Sequence, residues 1–367
     1  MSKSMILLVF ALLVGMPHHN CRGAEPFDFQ RSFRMGFTGF PHDITLPAVT
    51  EARTFCRTHG DIIAHHMEGV PWTECLTKQP LSEKLRREWK GKKEATAAGG
   101  HVYVAISPGR GDLKVADHCL PIDEKLKGKS YDDPRVIEAY LEYCRRAVAF
   151  FEPDYLAIGI EVNDIYKNAG PDVWKAYAAL HEHVYKALKE DHPDLPIFAS
   201  LTLHNLLNAE ETKREKYVEA YRQILPFCDL IAVSYYPFIQ GGTTEIKPAF
   251  EWLTSTFDEE GKPYAFVETG EAAEQLKLGA FGVTIRGTTD KQYAYLIELL
   301  YFAQTQDTEF VIWFIHRDYD AMWEKIKAHV PEAHGAWRDS GLMDENGDER
   351  PAMLAWEKYF ETEREAD

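Results

Sequence analysis

Basic residues are in short supply in this chain. Its 367 residues hold 41 Lys and Arg against 58 Asp and Glu, a formal net charge of −17. A surface of that sign does not displace the counterions of a phosphate backbone, so nucleic acid is not an expected partner. Long apolar runs are missing as well. Beyond the N-terminus nothing approaches the roughly eighteen uninterrupted apolar residues of a membrane span, and no stable membrane insertion is expected. Six cysteines are too few for a disulfide-stapled scaffold of this length. There is no Gly-x-Gly-x-x-Gly turn, no Gly-x-Ser-x-Gly elbow and neither phosphate-binding Gly/Lys loop. These absences set aside dinucleotide, nucleophile-elbow and nucleoside-triphosphate chemistry, and no cofactor or catalytic metal is expected. Asn-x-Ser/Thr sequons, internal repeats, low-complexity tracts and Pro/Ser-rich linkers are also lacking.

What is present is a large globular core: 45% of residues are hydrophobic and 27% charged. Lys3 precedes the apolar run Ile6 to Val14, and small residues follow at Cys21 and Gly23. Residues 1–23 therefore read as a cleaved export signal, too short to span ~30 Å of hydrocarbon, which predicts a secreted or periplasmic protein. Export permits disulfides. The remaining cysteines, Cys56, Cys75, Cys119, Cys144 and Cys228, are odd in number, which leaves at least one thiol unpaired within the chain.

From residue 24 onward short β-branched or aromatic runs alternate with longer amphipathic stretches. Strands are predicted at Arg34–Phe37, Asp61–His66, His101–Ser107, Asp154–Ile160, Pro196–Leu201, Leu230–Tyr236, Tyr264–Val267 and Phe310–Ile315. Helices are predicted at 47–59, 81–98, 134–152, 171–191, 213–227, 247–256, 288–306 and 351–361. Near-continuous apolar strands separated by helices indicate a parallel sheet covered on its outer face. Eight such units predict an α/β protein, a single (β/α)8 TIM barrel over 24–367. An open doubly wound sheet is the competing architecture, and the missing phosphate turn argues against it. Connections leaving the strands are long (67–80, 108–133, 269–287, 317–350) while those entering are terse, which puts the extra chain on the C-terminal face where barrel active sites lie.

Two acids end strands on that face. Glu161 closes Asp154-Tyr-Leu-Ala-Ile-Gly-Ile-Glu-Val-Asn163, and Glu268 closes Tyr264-Ala-Phe-Val-Glu-Thr-Gly270. Three βα units separate them, so they enter the barrel mouth from opposite sides. Paired carboxylates so placed suit glycoside hydrolysis, one protonating the departing oxygen and the other attacking the anomeric carbon.

Asp154–Asn163 resembles the strand-four motif of clan A glycoside hydrolases, above all the endo-β-1,4-galactanase family. Val267-Glu-Thr-Gly270 looks like the nucleophile strand of those galactanases and of plant-type β-1,3-glucanases. Ser340-Gly-Leu-Met-Asp-Glu-Asn-Gly-Asp-Glu-Arg-Pro-Ala-Met-Leu-Ala-Trp356 is similar to the turn and final helix that end many clan A barrels. The resemblance implies a retaining β-glycosidase with Glu161 as acid/base, Glu268 as nucleophile and carboxyls about 5–5.5 Å apart. The chain departs from the pattern at Ile160, where the clan usually has an Asn that contacts the sugar 2-hydroxyl. Asn163 either substitutes for it or makes a local turn hydrogen bond.

The same resemblance makes Tyr236, in Ser234-Tyr-Tyr-Pro237, a partner of the nucleophile, with Tyr235 as competitor and a packed aromatic as the plainer reading. Trp313 is either a sugar platform or a core tryptophan. His66, His204 and His316 follow strands two, five and eight and are candidates to bind hydroxyls. Trp72, Trp323 and Trp337 are candidates for further subsites or for loop clamps. His65-His66-x-Glu68 imitates a metal motif, but Gly36-Phe37-Thr38-Gly39 supplies no companion ligand. Asp344-x-Asn346-Gly-Asp348 is better explained as a tight turn than as a calcium loop, and Arg110-Gly-Asp112 is assigned no function. The expected partner is a carbohydrate, cleaved by hydrolysis or transglycosylation, or merely bound if the barrel is noncatalytic.

Overall fold

The computed structural model describes residues 30–67, 69–96, 100–109, 126, 128–240, 246–279 and 282–364. The predicted export signal, Cys119, Glu68 and the Arg110-Gly-Asp112 tripeptide lie outside the described residues.

The strands are β1 (Arg34–Thr38), β2 (Ile62–His66), β3 (His101–Ala105), β4 (Tyr155–Ala157), β5 (Ile197–Phe198), β6 (Ser200–Thr202), β7 (Ile231–Tyr235), β8 (Tyr264–Thr269), β9 (Gln275–Leu278), β10 (Val283–Arg286) and β11 (Thr308–Trp313). Nine of them form one parallel sheet in the order β5-β4-β3-β2-β1-β11-β8-β7-β6. The two outermost members are halves of a single strand broken at Ala199. Ile197–Phe198 pairs with β4 and Ser200–Thr202 with β7, so the segment closes the ring into an eight-fold barrel.

The sequence dictates this arrangement locally. β1, β7 and the middle of β11 are buried along their whole length, as expected of strands covered by helices on one side and by the barrel interior on the other. Helices start at side-chain caps: Thr45 for Leu46–Thr58, Ser82 for Glu83–Lys93, Asp133 for Pro134–Phe151 and Thr288 for Thr289–Thr305. Gly36 is required where β1 meets β2, since a Cβ there would sit 1.8 Å from the Ile62 carbonyl oxygen.

Several elements were not anticipated. β9 and β10 form an antiparallel hairpin inside the connection that leaves β8. Short helices Trp72–Leu76, Asn163–Ala169, Leu203–Asn208 and Asp320–Ile326 occupy other connections on the same face. The 344–348 segment is a tight turn, with the Asp344 carboxylate accepting from the amides of Asn346 and Asp348. Among the described residues Cys56, Cys75, Cys144 and Cys228 are buried free thiols, and no helix is long and apolar enough to cross a membrane.

Candidate active site

The chain leaves β4 through Gly159 and Ile160 into Glu161, whose φ of +52° lies in the left-handed region. A non-glycine residue there is strained by about 1 kcal/mol or more, and such strain concentrates at functional positions. Strand five holds the turn in place: the Glu161 amide donates to Ser200 Oγ at 2.9 Å, and the Val162 amide donates to the Ser200 carbonyl at 2.9 Å. The Glu161 side chain is 6% exposed. Its Oε1 accepts a 2.6 Å hydrogen bond from Ser234 Oγ on β7.

Ser234 is also the register partner of Glu268 on β8, where the β7–β8 ladder shifts by a bulge. Glu268 thus enters the mouth beside the hydroxyl that holds Glu161. Its Oε1 accepts from the Tyr236 hydroxyl, and its Oε2 lies 3.3 Å from His66 Nδ1. Tyr236 is buried and feels both acids. Desolvation raises its phenol well above the ordinary value, and the charges of Glu268 and then Glu161 add to the shift. His204, 5% exposed, flanks this tyrosine and accepts from the Tyr236 amide at 3.4 Å. Glu161, Glu268, Tyr236, His66 and His204 are therefore gathered at one end of the barrel. Tyr235 faces the helix layer instead, against Phe250 and Tyr295.

The other sequence candidates sit elsewhere. Asn163 is 1% exposed and both ends of its amide bind the Thr202 backbone, accepting from N at 2.7 Å and donating to O at 3.3 Å. It clamps the acid-bearing turn to strand five, so neither a sugar contact nor a purely local turn bond describes it. Trp313 is fully buried, with its indole N–H donating to the Ser340 carbonyl and its ring against Tyr295 of the outer helix 289–305. It has no face open to a sugar and belongs to the core. The next residue, Phe314, takes the inner side by strand alternation. Partly exposed, it lies edge-on to Tyr236 at 6.2 Å and 5.5 Å from Phe40. Sequence reasoning missed Phe314 because the larger ring one residue earlier drew attention.

Trp72 is 1% exposed and packs on Tyr140, and His316 is wholly covered against Phe55. Both are corrected from sugar contacts to packed residues, because each faces a helix of the outer layer. Trp323 packs with Ile315, Tyr319 and Met322. Trp337 does border the site, 5.6 Å edge-on from Tyr236. The apparent metal pair fails for a geometric reason: His66 turns to Glu268 while its neighbour His65 turns outward onto Phe151. Burial, the largest cause, pushes His65 down to about 3.

Glu271, in the connection after β8, was also missed. It is 5% exposed, and burial pushes its carboxyl up to about 8, with Lys291 and two backbone amides offsetting only part of the shift. Between the ordinary carboxyl range and that value, the folded protein keeps a proton that the unfolded chain releases. Stability therefore falls as pH rises from about 4.5 to about 8, by up to ~1.4 kcal/mol per pH unit from this group. Glu271→Gln is expected to flatten that decline and to be the more stable protein at pH 8. Denaturant melts across the window test this, and an unchanged slope refutes it.

No protein-family model matches the chain, and no curated protein matches it. Solved structures do. The GH53 catalytic domain of Ignisphaera aggregans aligns with a TM-score of 0.58 at 18% identity, over 93% of this chain and 99% of its own. A GH5_18 protein from Streptomyces cattleya, solved in complex with GlcNAc, gives a TM-score of 0.64 at 16% identity, over 92% and 82%. Native xylanase 10B from Thermotoga maritima gives 0.55 at 12%, over 90% and 95%. At these identities the likeness is one of architecture: the chain shares the (β/α)8 barrel of these clan A glycoside hydrolases.

Proposed function

We propose that the protein is a retaining glycoside hydrolase, exported, that cleaves a β-linked oligo- or polysaccharide with Glu161 as acid/base and Glu268 as nucleophile. The observation that carries this reading is the convergence of the two carboxylates on one pair of neighbouring residues, Ser234 and Tyr236. In the first step a Glu268 oxygen bonds to the anomeric carbon while the glycosidic C–O bond breaks and the departing oxygen takes the proton of Glu161. In the second, water gives its proton to Glu161 and its oxygen to the anomeric carbon, releasing Glu268. Tyr236 and His66 hold the attacking carboxylate from two other strands. Phe314 and Trp337 supply apolar faces for the sugar. With Ile160 apolar and Asn163 bound to Thr202, the acid-bearing turn presents no amide to a sugar 2-hydroxyl.

The test is hydrolysis of a panel of β-linked glycans, with the anomer of the first-formed product read by NMR. A β product supports the assignment. An α product overturns retention, and no turnover of any glycan despite binding points to a carbohydrate-binding barrel. Product analysis at high acceptor concentration separates hydrolysis from transglycosylation.

Ser234 is a positioning residue in this scheme. A hydrogen bond to a charged group contributes about 1.5–3 kcal/mol, so Ser234→Ala is expected to lower kcat by roughly 10–100-fold with little change in KM. Steady-state kinetics on the folded variant check this, and a change confined to KM contradicts it.

A further inference from the structure

Away from the two acids, three side chains from distant parts of the chain meet beside the seam where β1 and β11 pair. His42 follows β1, Glu51 lies on helix 46–58 and His316 follows β11. His42 Nδ1 is 3.5 Å from Glu51 Oε2, His316 Nε2 is 3.9 Å from Glu51 Oε1, and one ligand atom from each residue falls within 4.8 Å of the others. His316 is 0% exposed, yet neither of its ring nitrogens has a hydrogen-bond partner among the described residues. Burying an imidazole in this way costs about 1–3 kcal/mol, and a native structure that carries such a group leaves something to be supplied.

We propose that His42, Glu51 and His316 bind a divalent transition-metal ion of the zinc class. Two imidazoles and one carboxylate suit zinc and its neighbours, whereas calcium and magnesium require an all-oxygen set. Bound at ~2.0–2.1 Å, tetrahedral ligands stand about 3.4 Å apart, slightly closer than the separations found here. Arg317 donates to Glu51 Oε1 at 3.0 Å, which leaves Oε2 for the ion and places one competing cation beside it. The acid clusters around Asp318 differ, because Arg350 and Arg338 already neutralise them. An ion at the triad ties the exit of the last barrel strand to the first helix of the barrel.

The experiment titrates metal-free full-length protein with Zn²⁺ by calorimetry and with Co²⁺ by visible absorption, alongside His42→Ala, Glu51→Gln and the surface control His329→Ala. One ion per chain is expected, with ligand-field bands of low-symmetry Co²⁺ and a raised Tm. Affinity should fall by at least the ~10–100-fold that loss of even an outer-shell partner causes, in His42→Ala and Glu51→Gln but not in His329→Ala. Both test positions are partly exposed, so these variants are expected to keep their fold. Absence of binding at millimolar zinc, equal binding in both triad variants, or displacement by equimolar Ca²⁺ overturns the proposal.

Discussion

Glu268→Gln is expected to lose turnover of β-linked glycans by about 10,000-fold or more, while its melting curve and sugar binding stay close to wild type. The amide is isosteric and keeps a carbonyl oxygen for the Tyr236 hydroxyl, but it cannot form the glycosyl ester, and removing a nucleophile has effects of that order. Glu161→Gln is expected to lose about 100–10,000-fold, the range of general acid–base assistance. Its loss should shrink on aryl glycosides whose leaving group needs no proton. Azide distinguishes the two positions. In Glu161→Ala it intercepts the glycosyl-enzyme and yields a β-glycosyl azide, whereas in Glu268→Ala it attacks in place of the carboxylate and yields the α-azide. Exchanged products reverse the roles, and near-wild-type turnover in either Gln variant removes that residue from the chemistry.

The second large effect is on stability. Arg350 and Asp318 are 5% and 1% exposed and joined by two hydrogen bonds, 3.0 Å from Nη1 and 2.7 Å from Nη2. Arg350 also reaches Glu274 at 2.7 Å and the Gly341 carbonyl at 2.8 Å. The pair ties together the two ends of the 317–350 connection, which carries Trp337, and the Glu274 contact joins them to the connection that carries the β9–β10 hairpin. Arg350→Met is expected to cost about 3–5 kcal/mol in denaturant melts at pH 8 and less at pH 6, because it leaves the Asp318 carboxylate buried and alone, and burial already pushes that carboxyl up to about 7. Arg350→Met with Asp318→Asn should recover part of that loss. A single variant within about 1 kcal/mol of wild type, or a double variant no better than the single, would show that the network does not act this way.

Repetition made the barrel legible. Eight apolar runs alternating with amphipathic stretches admit few architectures, and position at a strand end was enough to single out Glu161 and Glu268. The failures share one cause. Period-two alternation says that Trp313 and Phe314 face opposite sides, but where the strand ends and the connection begins decides which of them looks inward, and that is a tertiary fact. Asn163 was misjudged because its partner, Thr202, lies on another strand. His316 and Trp72 follow strands yet turn toward helices. The β9–β10 hairpin and the short helices are held by packing across the barrel mouth, and their few residues carry too little periodicity to stand out.

The fifth strand, broken at Ala199, has a consequence for how the protein fails. Ser200 holds the Gly159–Val162 turn through its amide, carbonyl and hydroxyl. The acid-bearing turn therefore cannot loosen by itself, because freeing it opens the ring of strands at its closing member. Heat inactivation and cooperative melting should coincide in this protein, with no inactive but still folded state between them.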